Sequence, residues 1–315
     1  MSITSLHHIT LVSGDAARTE DYYTRVLGLN LLGRTETDDG KPRLFFGSAA
    51  QEPRALISFI EWHGAAPGRE GVGGTHHFAL LVETRDALLK WKRRLTENGV
   101  AVNGPLDRHY FESIYHRDPD GSVIEIATRG HGWTRDEAPD RIGTEHRPPP
   151  PEMVKGNRDQ ERIRAETWRE AVPEVADDMR FEMKHHITAI GEDIERTHGF
   201  LHGILGLRRV KRTSNFDMPD SYHWYWGTGE GAPGTVVTYF ERRGAARVQH
   251  GPGQTDHYAL AVADERALAD CADQLGRAGY PVSAVADRAF WKGFFTEDPD
   301  GQRVEIATTG PGFAQ

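Results

Sequence analysis

The chain has 315 residues, more than one compact domain usually holds, so two domains or one duplicated architecture are expected. Its net charge of −9 provides no basic surface for nucleic acid, and no run of 18 apolar residues is present to span a bilayer. The single cysteine, Cys271, excludes an internal disulfide and a thiolate metal cage, and Met1 leads directly into a strand pattern without a secretory signal. These features predict a soluble, cytoplasmic protein that binds neither nucleic acid nor membranes.

Paired histidines begin several apolar, strand-like runs along the chain. The run LHHITLV starts at Leu6, THHFALLV at Thr75 and KHHITAI at Lys184. Neighbouring residues of a strand face opposite ways, so at most one histidine of each pair can enter a given cleft.

The two halves of the sequence repeat each other. The segment HHITLVSGDAARTEDYYTRVLGLNLL from His7 matches HHITAIGEDIERTHGFLHGILGLRRV from His185, and SIYHRDPDGSVIEIAT from Ser113 matches GFFTEDPDGQRVEIAT from Gly293. Each copy contains a finer repeat of a strand, an amphipathic helix and three strands. These units begin at Leu6, Thr75, Lys184 and Asp256, and their helices are predicted around Ala16–Val26, Arg85–Asn98, Ile194–Ile204 and Glu265–Ala278. The fold is therefore predicted to be α+β, with four βαβββ units in two modules, residues 1–133 and 183–315.

Residues 134–182 between the two copies break this pattern. The four prolines from Pro148 to Pro151 can continue neither a helix nor a central strand, and the charged run after them has the composition of a helix. We expect a linker with one helix. A lid over the site and a strap along the outside of the protein are both compatible with this composition.

A histidine and a glutamate recur at the same spacing in both copies. His77 precedes Glu125 by 48 residues, and His257 precedes Glu305 by 48 residues. Imidazole together with carboxylate suits a borderline divalent ion such as Fe, Mn, Ni or Zn. The recurrence of the pair favours a metal site over isolated strand histidines.

The second histidine of each HHIT run is the candidate for a third ligand. These residues are His8 and His186. Two histidines and one carboxylate form a facial triad that leaves coordination positions open for reactants.

The βαβββ units, the HHIT openings and the DPDG…EIAT endings resemble the vicinal oxygen chelate superfamily, and within it the para-hydroquinone-type ring-cleaving dioxygenases. The similarity extends over nearly the whole chain, including the linker. The segment KRTSNFDMPDSYHWYWGTGEGAPGTVVTYF from Lys211 resembles the first module of that family, whereas GGTHHFALLV and DRHYFESIYHRDPDGSVIEIAT resemble its second. The two modules therefore stand in exchanged order here.

The resemblance implies a metal centre made of residues from both copies. An HHIT histidine of one module would join the strand histidine and the glutamate of the other, which gives His186, His77 and Glu125 as ligands of Fe(II), with Mn or another divalent metal as the alternative. The resemblance also assigns a catalytic surrounding, which consists of Tyr115, Arg108, His185, His76 and Thr188.

Each of these surrounding residues has an expected role. Tyr115 or a neighbouring histidine would move a proton, and Arg108 would stabilise developing negative charge on oxygen. One of His185 and His76 would hydrogen-bond dioxygen, and strand alternation forbids assuming that both face the site.

The counterpart set is His8, His257 and Glu305, with Arg288 in the position of Arg108. Two neighbours differ, because Asp256 stands where His76 stands and Phe295 where Tyr115 stands. Phenylalanine cannot transfer a proton. This second set is therefore predicted to be a vestigial or structural site.

Several further residues have expected places. Asn215, Phe216 and His223 match family positions at the substrate pocket. The aromatic run Trp224–Trp226 is typical of a strand in the core, with a pocket lining as the alternative. The unpaired His116 is expected at the surface or in a loop.

The sequence thus predicts an Fe(II)-dependent dioxygenase that cleaves a hydroquinone- or catechol-like ring, with a small aromatic and O2 as partners. One alternative is a glyoxalase-type isomerase or lyase with a fourth carboxylate ligand, for which Glu61 and Glu241 are candidates. The other is a protein that binds an aromatic or a metal complex without turnover. Association into a homo-oligomer is left open.

Overall fold

The computed structural model describes residues 3–48, 55–288 and 290–313, and the protein has the predicted α+β fold with all four βαβββ units. The first half contains β1 (Ile3–Ser13), α1 (Ala16–Asp21), β2 (Asn30–Glu36), β3 (Pro42–Gly47), β4 (Ile57–Glu61), β5 (Gly74–Val82), α2 (Arg85–Glu97), β6 (Asn103–Asp107), β7 (Glu112–Arg117) and β8 (Val123–Thr128). The linker contains α3 (Gln160–Ala165). The second half contains β9 (Lys184–Gly191), α4 (Ile194–His198), β10 (Arg208–Ser214), β11 (Tyr222–Gly227), β12 (Val236–Glu241), β13 (Thr255–Val262), α5 (Glu265–Arg277), β14 (Ala286–Asp287), β15 (Trp291–Glu297) and β16 (Arg303–Pro311).

Local sequence determines where the helices begin. In the described parts of the chain, each of the five α-helices follows a residue with an oxygen-bearing side chain that accepts a hydrogen bond from a backbone N–H of the first turn, an interaction worth about 1 kcal/mol. These capping residues are Asp15, Thr84, Asp159, Asp193 and Asp264. α1 and α4 each continue into a π-helical turn, Tyr22–Val26 and Gly199–Ile204, so that both reach the predicted ends.

The strands form two eight-stranded sheets, and each sheet combines the two halves of the chain. One sheet has the order β14-β15-β16-β13-β1-β4-β3-β2, and the other has the order β10-β11-β12-β9-β5-β8-β7-β6. The first strands of two units pair antiparallel at the centre of each sheet, β1 with β13 and β5 with β9. The first unit therefore joins the fourth, and the second joins the third. The division into residues 1–133 and 183–315 describes the repeat along the chain, whereas each sheet crosses it.

The linker packs against α2 before the chain enters the second half. Trp91 of α2 stacks on Phe181 with ring centroids 4.6 Å apart, and its indole N–H donates to the carbonyl of Met179. Further upstream, the linker contacts the turn between β10 and β11, where Lys155 N–H donates to the carbonyl of Phe216. No α-helix among the described residues is long and apolar enough to cross a membrane.

Candidate active site

Three buried side chains meet on neighbouring strands β5, β8 and β9. Glu125 Oε2 lies 2.8 Å from His77 Nε2 and 3.3 Å from His186 Nε2, and the two Nε2 atoms are 3.3 Å apart. All three side chains are at most 5 % exposed. Parallel pairing of β5 with β8 and antiparallel pairing of β5 with β9 bring these distant sequence positions together.

The chemistry of these three atoms fits a metal ion. Ligand atoms about 2.1 Å from a metal and at right angles to each other are about 3 Å apart, close to the separations found here. Glu125 Oε2 is buried and has no hydrogen-bond partner of good geometry among the described residues. Burial also lowers the pKa of His77, so this ring is neutral near pH 7 and its lone pair is available. These residues are suited to hold a divalent cation.

The histidine that precedes each ligand histidine orients the ligand ring. His76 Nδ1 lies 2.7 Å from His77 Nδ1, and His185 Nδ1 lies 2.9 Å from His186 Nδ1. A proton on the ligand's Nδ1 leaves its Nε2 lone pair directed at the cluster. His76 lines the cavity described below together with His77, so the prediction that only one histidine of a pair can enter a given cleft is wrong for this pair, where the pairing of β5 with β9 is irregular between Thr75 and His77. His185 does not line this cavity.

The carboxylate of Glu125 is anchored from its other oxygen. Ser113 Oγ on β7 donates to Glu125 Oε1 over 2.5 Å. Burial by itself would raise the pKa of Glu125, but His186 and His77 outweigh it and hold the pKa well below its usual range. The group is therefore ionised at neutral pH.

Tyr115 and Arg108 adjoin this cluster. Tyr115 is the direct partner of Glu125 in the pairing of β7 with β8, and its ring lies edge-on to His77 with centroids 5.7 Å apart. Arg108 Nε donates to Tyr115 Oη over 3.1 Å. Burial raises the pKa of Tyr115 above its usual value, so the phenol carries its proton at neutral pH.

A chain of hydrogen bonds continues from the cluster across β9, β12 and β11. Thr188 Oγ1 is 3.0 Å from His77 Nε2 and accepts from Thr238 Oγ1 over 2.9 Å. Thr238 Oγ1 lies 2.8 Å from His223 Nε2, and His223 Nδ1 lies 2.9 Å from Tyr225 Oη. Burial, reinforced by His186 and His77, lowers the pKa of His223 well below its usual value, so this ring is also neutral.

The cluster opens into a cavity of about 1100 Å³. The cavity is lined by the three metal-binding candidates, by Arg108 and Tyr115, and by the predicted pocket residues, which are Asn215, Phe216 and His223. The linker contributes to the wall through Lys155 and Arg158, so part of it is more than an outer strap.

The structure shows where His116 and the aromatic run Trp224–Trp226 lie. His116 is not at the surface: it is 3 % exposed on β7 and lines the cavity, because the strand continues beyond Tyr115 into the buried sheet. Within the aromatic run, Tyr225 lines the cavity, whereas Trp224 and Trp226 belong to the hydrophobic core on the other face.

The counterpart cluster is also assembled, on β1, β13 and β16. Glu305 Oε2 lies 3.3 Å from both His8 Nε2 and His257 Nε2, and these two nitrogens are 3.2 Å apart. All three side chains are at most 1 % exposed. None of them lines the cavity of the first cluster.

Different side chains surround this second cluster. Glu305 Oε1 accepts from Arg288 Nε over 2.9 Å and from Trp291 Nε1 over 3.1 Å. Arg43 on β3 takes the place that His223 has on β11, and it donates to Thr10 Oγ1 over 3.2 Å. Burial lowers the pKa of Arg43 to about 10, so it remains a cation at neutral pH.

The two glutamates considered as fourth ligands have other partners. Glu61 Oε1 accepts from the backbone N–H of Ala16, and Glu241 Oε1 accepts from the backbone N–H of Ile194. Each glutamate thus holds the first turn of the helix in its own unit, and neither joins a metal-binding cluster among the described residues.

Three residues contribute to the site although the sequence analysis did not predict a role for them. Ser113 anchors Glu125, Asp217 accepts from Arg108 Nη2 over 3.1 Å, and Arg158 pairs with Asp217 over 2.6 Å. Asp217 follows Asn215 and Phe216 directly, so its place beside the pocket residues was a usable signal. Arg158 lies in a charged linker where no local pattern distinguishes it from its neighbours.

The paired units, the two clusters and their spacing define the class of protein. The chain belongs to the Glyoxalase/Bleomycin resistance protein/Dioxygenase superfamily, whose family model matches residues 5–126 and 184–306. This confirms the resemblance recognised in the sequence.

Two Bacillus subtilis proteins are similar over nearly the full chain. "Putative ring-cleaving dioxygenase MhqA" is 25 % identical and the alignment covers 99 % of this chain and 89 % of MhqA. "Putative ring-cleaving dioxygenase MhqO" is 27 % identical, and the alignment covers 98 % of this chain and 86 % of MhqO. A catechol-2,3-dioxygenase of the same organism is 33 % identical over 42 % of this chain and 47 % of its own length.

Solved structures agree with the fold. A crystal structure described as a putative dioxygenase from Bacillus subtilis superimposes with a TM-score of 0.75 at 25 % identity, covering 99 % of this chain and 87 % of that chain. Glyoxalase I from Zea mays superimposes with a TM-score of 0.65 at 17 % identity, covering 97 % of this chain and 92 % of that chain. The second similarity concerns the fold alone, because one scaffold carries several reactions.

Proposed function

We propose that this protein is an Fe(II)-dependent dioxygenase that uses O2 to cleave a hydroquinone- or catechol-like ring. The relatives similar over nearly the full chain support a dioxygenase of this superfamily. The observation that carries the finer proposal is the placement of the Arg108–Tyr115 pair in the same cavity as His77, His186 and Glu125. The cytoplasmic location and the state of association stay predictions.

Iron(II) held by His77, His186 and Glu125 would supply open coordination positions where an aromatic hydroxyl and dioxygen are held side by side. The protein's contribution is to fix the three ligand atoms. The neighbours of each ligand do this through atoms that face away from the metal, namely His76, His185 and Ser113.

Tyr115 is proposed as the group that moves a proton at the substrate. Its hydroxyl is protonated at neutral pH, so it donates first and is then re-protonated. The guanidinium of Arg108, 3.1 Å from the same hydroxyl, stabilises the phenolate of Tyr115 and negative charge on nearby substrate oxygen. Removal of such a positioned donor commonly costs about 3 kcal/mol of transition-state stabilisation.

The cavity wall suits an aromatic ring with polar substituents. Phe216 and Phe240 offer ring faces or edges, and Asn215 and His223 offer hydrogen-bonding groups in the same cavity. Ring contacts of this kind are worth about 0.5–1.5 kcal/mol beyond the area that they bury. Asn215, Phe216 and His223 are therefore proposed as substrate-contacting residues.

The alternative activities find less support in these contacts. A glyoxalase-type site with a fourth carboxylate would need Glu61 or Glu241, and both cap helices instead. A protein that only binds its ligand does not require a hydrogen-bonded arginine and tyrosine beside a metal cluster.

The test is anaerobic reconstitution with Fe(II), followed by measurement of oxygen uptake with a panel of hydroquinones and catechols. We expect stoichiometric consumption of O2 and substrate with at least one ring type, and loss of activity after chelation of the metal. Isomerisation of a 2-oxoaldehyde hemithioacetal with Ni(II) or Zn(II), without oxygen uptake on any ring, would establish the glyoxalase-type alternative.

A further inference from the structure

Arg108 and Arg288 occupy equivalent positions in the two sheets, yet they have different partners. Each guanidinium lies over the aromatic ring that follows it, 5.0 Å from the Tyr115 ring in the first case and 4.9 Å from the Phe295 ring in the second. Arg288 Nε donates to the metal-binding candidate Glu305. Glu125, the counterpart of Glu305, is near enough to interact electrostatically with Arg108. Arg108 nevertheless donates its hydrogen bonds to the Tyr115 hydroxyl and to Asp217.

The linker holds Asp217 in place. Arg158 Nη1 pairs with Asp217 Oδ1 over 2.6 Å, on the opposite carboxylate oxygen from the one that binds Arg108. Arg158 is itself fixed by two backbone carbonyls, since its Nε donates to Met153 over 2.7 Å and its Nη2 to Phe216 over 3.0 Å. The side chain of Arg158 is 8 % exposed and that of Asp217 is 39 % exposed, so the arginine is held inside the protein while the carboxylate keeps some contact with water.

The sheet that carries the second cluster lacks this arrangement at the corresponding turn. Between β2 and β3, Asp39 pairs with Lys41 over 2.5 Å and is 61 % exposed. The carboxylate there is thus mostly exposed and pairs with a lysine of its own turn.

The position of such an arginine matters for metal binding. A guanidinium on the ligand carboxylate withdraws negative charge from it and repels a dication bound to the other oxygen, and both effects are strong in a buried site. Arg288 and Trp291 together occupy Glu305 Oε1, whereas Glu125 Oε1 accepts from the neutral Ser113 hydroxyl.

We infer that Arg158 and Asp217 form a clamp that keeps Arg108 off Glu125 and thereby preserves the metal affinity of the first cluster. Arg158 is a positioning residue in this arrangement: it acts through Asp217 on Arg108. The linker is then a functional part of the first site, and in the second cluster, which lacks both the clamp and the tyrosine hydroxyl, Arg288 lies on Glu305. This inference rests on the proposed metal site.

The test measures metal affinity directly. The dissociation constant for Mn(II) is determined anaerobically from the electron paramagnetic resonance signal of the free ion, in the full-length protein, with Glu125→Ala identifying the first site. Arg158→Met is expected to weaken binding at that site tenfold or more. Arg162→Met, an exposed change on α3 of the same linker, is the matched control and should bind as the wild type does.

A double variant separates positioning from general damage to the fold. Adding Arg108→Met to Arg158→Met removes the guanidinium that would turn onto Glu125, so affinity should return to within about threefold of the wild type. Arg158→Lys should retain part of the wild-type metal affinity, because lysine keeps the charge but cannot bond Asp217, Met153 and Phe216 at once as the guanidinium does. Wild-type affinity in Arg158→Met, or no recovery in the double variant, overturns the clamp.

The second cluster provides the reciprocal measurement. In the Glu125→Ala background, Arg288→Met should strengthen Mn(II) binding at the second cluster tenfold or more, and an unchanged affinity would contradict the inference. A wild-type protein whose Mn(II) binding is not altered by Glu125→Ala would overturn the proposed metal site itself, and the clamp with it.

Discussion

The two clusters contain the same three ligand types in the same geometry, but their surroundings differ. Their atoms are separated by 2.8–3.3 Å in the first cluster and by 3.2–3.3 Å in the second. The first cluster opens into a cavity beside a phenol, whereas in the second a phenylalanine replaces the phenol and an arginine lies on the glutamate. The geometry of the ligand atoms is therefore the same at the cluster proposed to be reactive and at the one predicted to be structural.

A single hydroxyl accounts for part of this difference. Tyr115 and Phe295 occupy the same register position, each opposite the glutamate of its cluster. The Tyr115 oxygen accepts from Arg108, and the missing oxygen at Phe295 leaves Arg288 to donate to Glu305. The same backbone thus supports two arrangements of charge.

The largest expected effect comes from deleting the ligand carboxylates. Glu125→Ala should reduce turnover below detection, because it removes a metal ligand of the proposed active site. Glu305→Ala should leave kcat within about twofold of the wild type and lower the free energy of unfolding by about 1–3 kcal/mol, since Arg288 and Trp291 lose their acceptor.

Steady-state oxygen uptake, metal content and urea unfolding of both variants check this prediction. Equal loss of turnover in the two variants, with unchanged unfolding, would show that both clusters catalyse the reaction.

A smaller effect is expected from replacing Tyr115 with phenylalanine, the residue that occupies the equivalent position beside the second cluster. Tyr115→Phe should lower kcat by about 10²- to 10⁴-fold, the usual contribution of a positioned acid or base, while iron content and melting temperature stay nearly unchanged. If Asp217 still holds Arg108, metal affinity should be retained as well.

The three quantities are measured on one preparation. Wild-type turnover in Tyr115→Phe would refute the catalytic role of the hydroxyl. A drop in iron content that matches the drop in kcat would instead assign the hydroxyl to metal binding, through the position of Arg108.

The smallest expected effect concerns the residues that precede the two HHIT runs. Leu6 and Lys184 are counterparts, and both are buried, at 5 % and 2 % exposure. Burial lowers the pKa of Lys184 from 10.5 to about 7. Between these values the unfolded chain binds more protons than the folded one, so the free energy of unfolding rises with pH. The cost of burying the charged amine is largest below pH 7 and is lost above pH 10.5.

Lys184→Leu, which copies the first half into the second, should therefore stabilise the protein on the order of 1–4 kcal/mol at pH 6, and the gain should shrink as pH approaches 10.5. Urea unfolding at a series of pH values, with wild type and variant side by side, measures the difference. A gain that does not depend on pH would assign the effect to packing instead of charge.

The sequence was sufficient to predict the units and which side chains cluster as candidate ligands. Strand and helix periodicity and the duplicated HHIT and DPDG patterns predicted four βαβββ units, and the structure contains them with helix bounds that agree closely. The resemblance to the superfamily predicted that His77, His186 and Glu125 from the two halves would form one site, and these three side chains lie together. Such features are local or recur, so they leave a mark in the sequence.

The arrangement of charges around each cluster was decided by tertiary structure. The pairing of β5 with β9 and of β1 with β13 brings units from different halves into one sheet, and no local pattern specifies which free strand edges combine. The same holds for Arg158, which reaches Asp217 from a charged linker, and for Arg288, which lies on Glu305 while Arg108 turns away from Glu125. Sequence determines which side chains are present and how their strands alternate, whereas the partner of a long, charged side chain depends on which other groups the packed fold leaves within its reach.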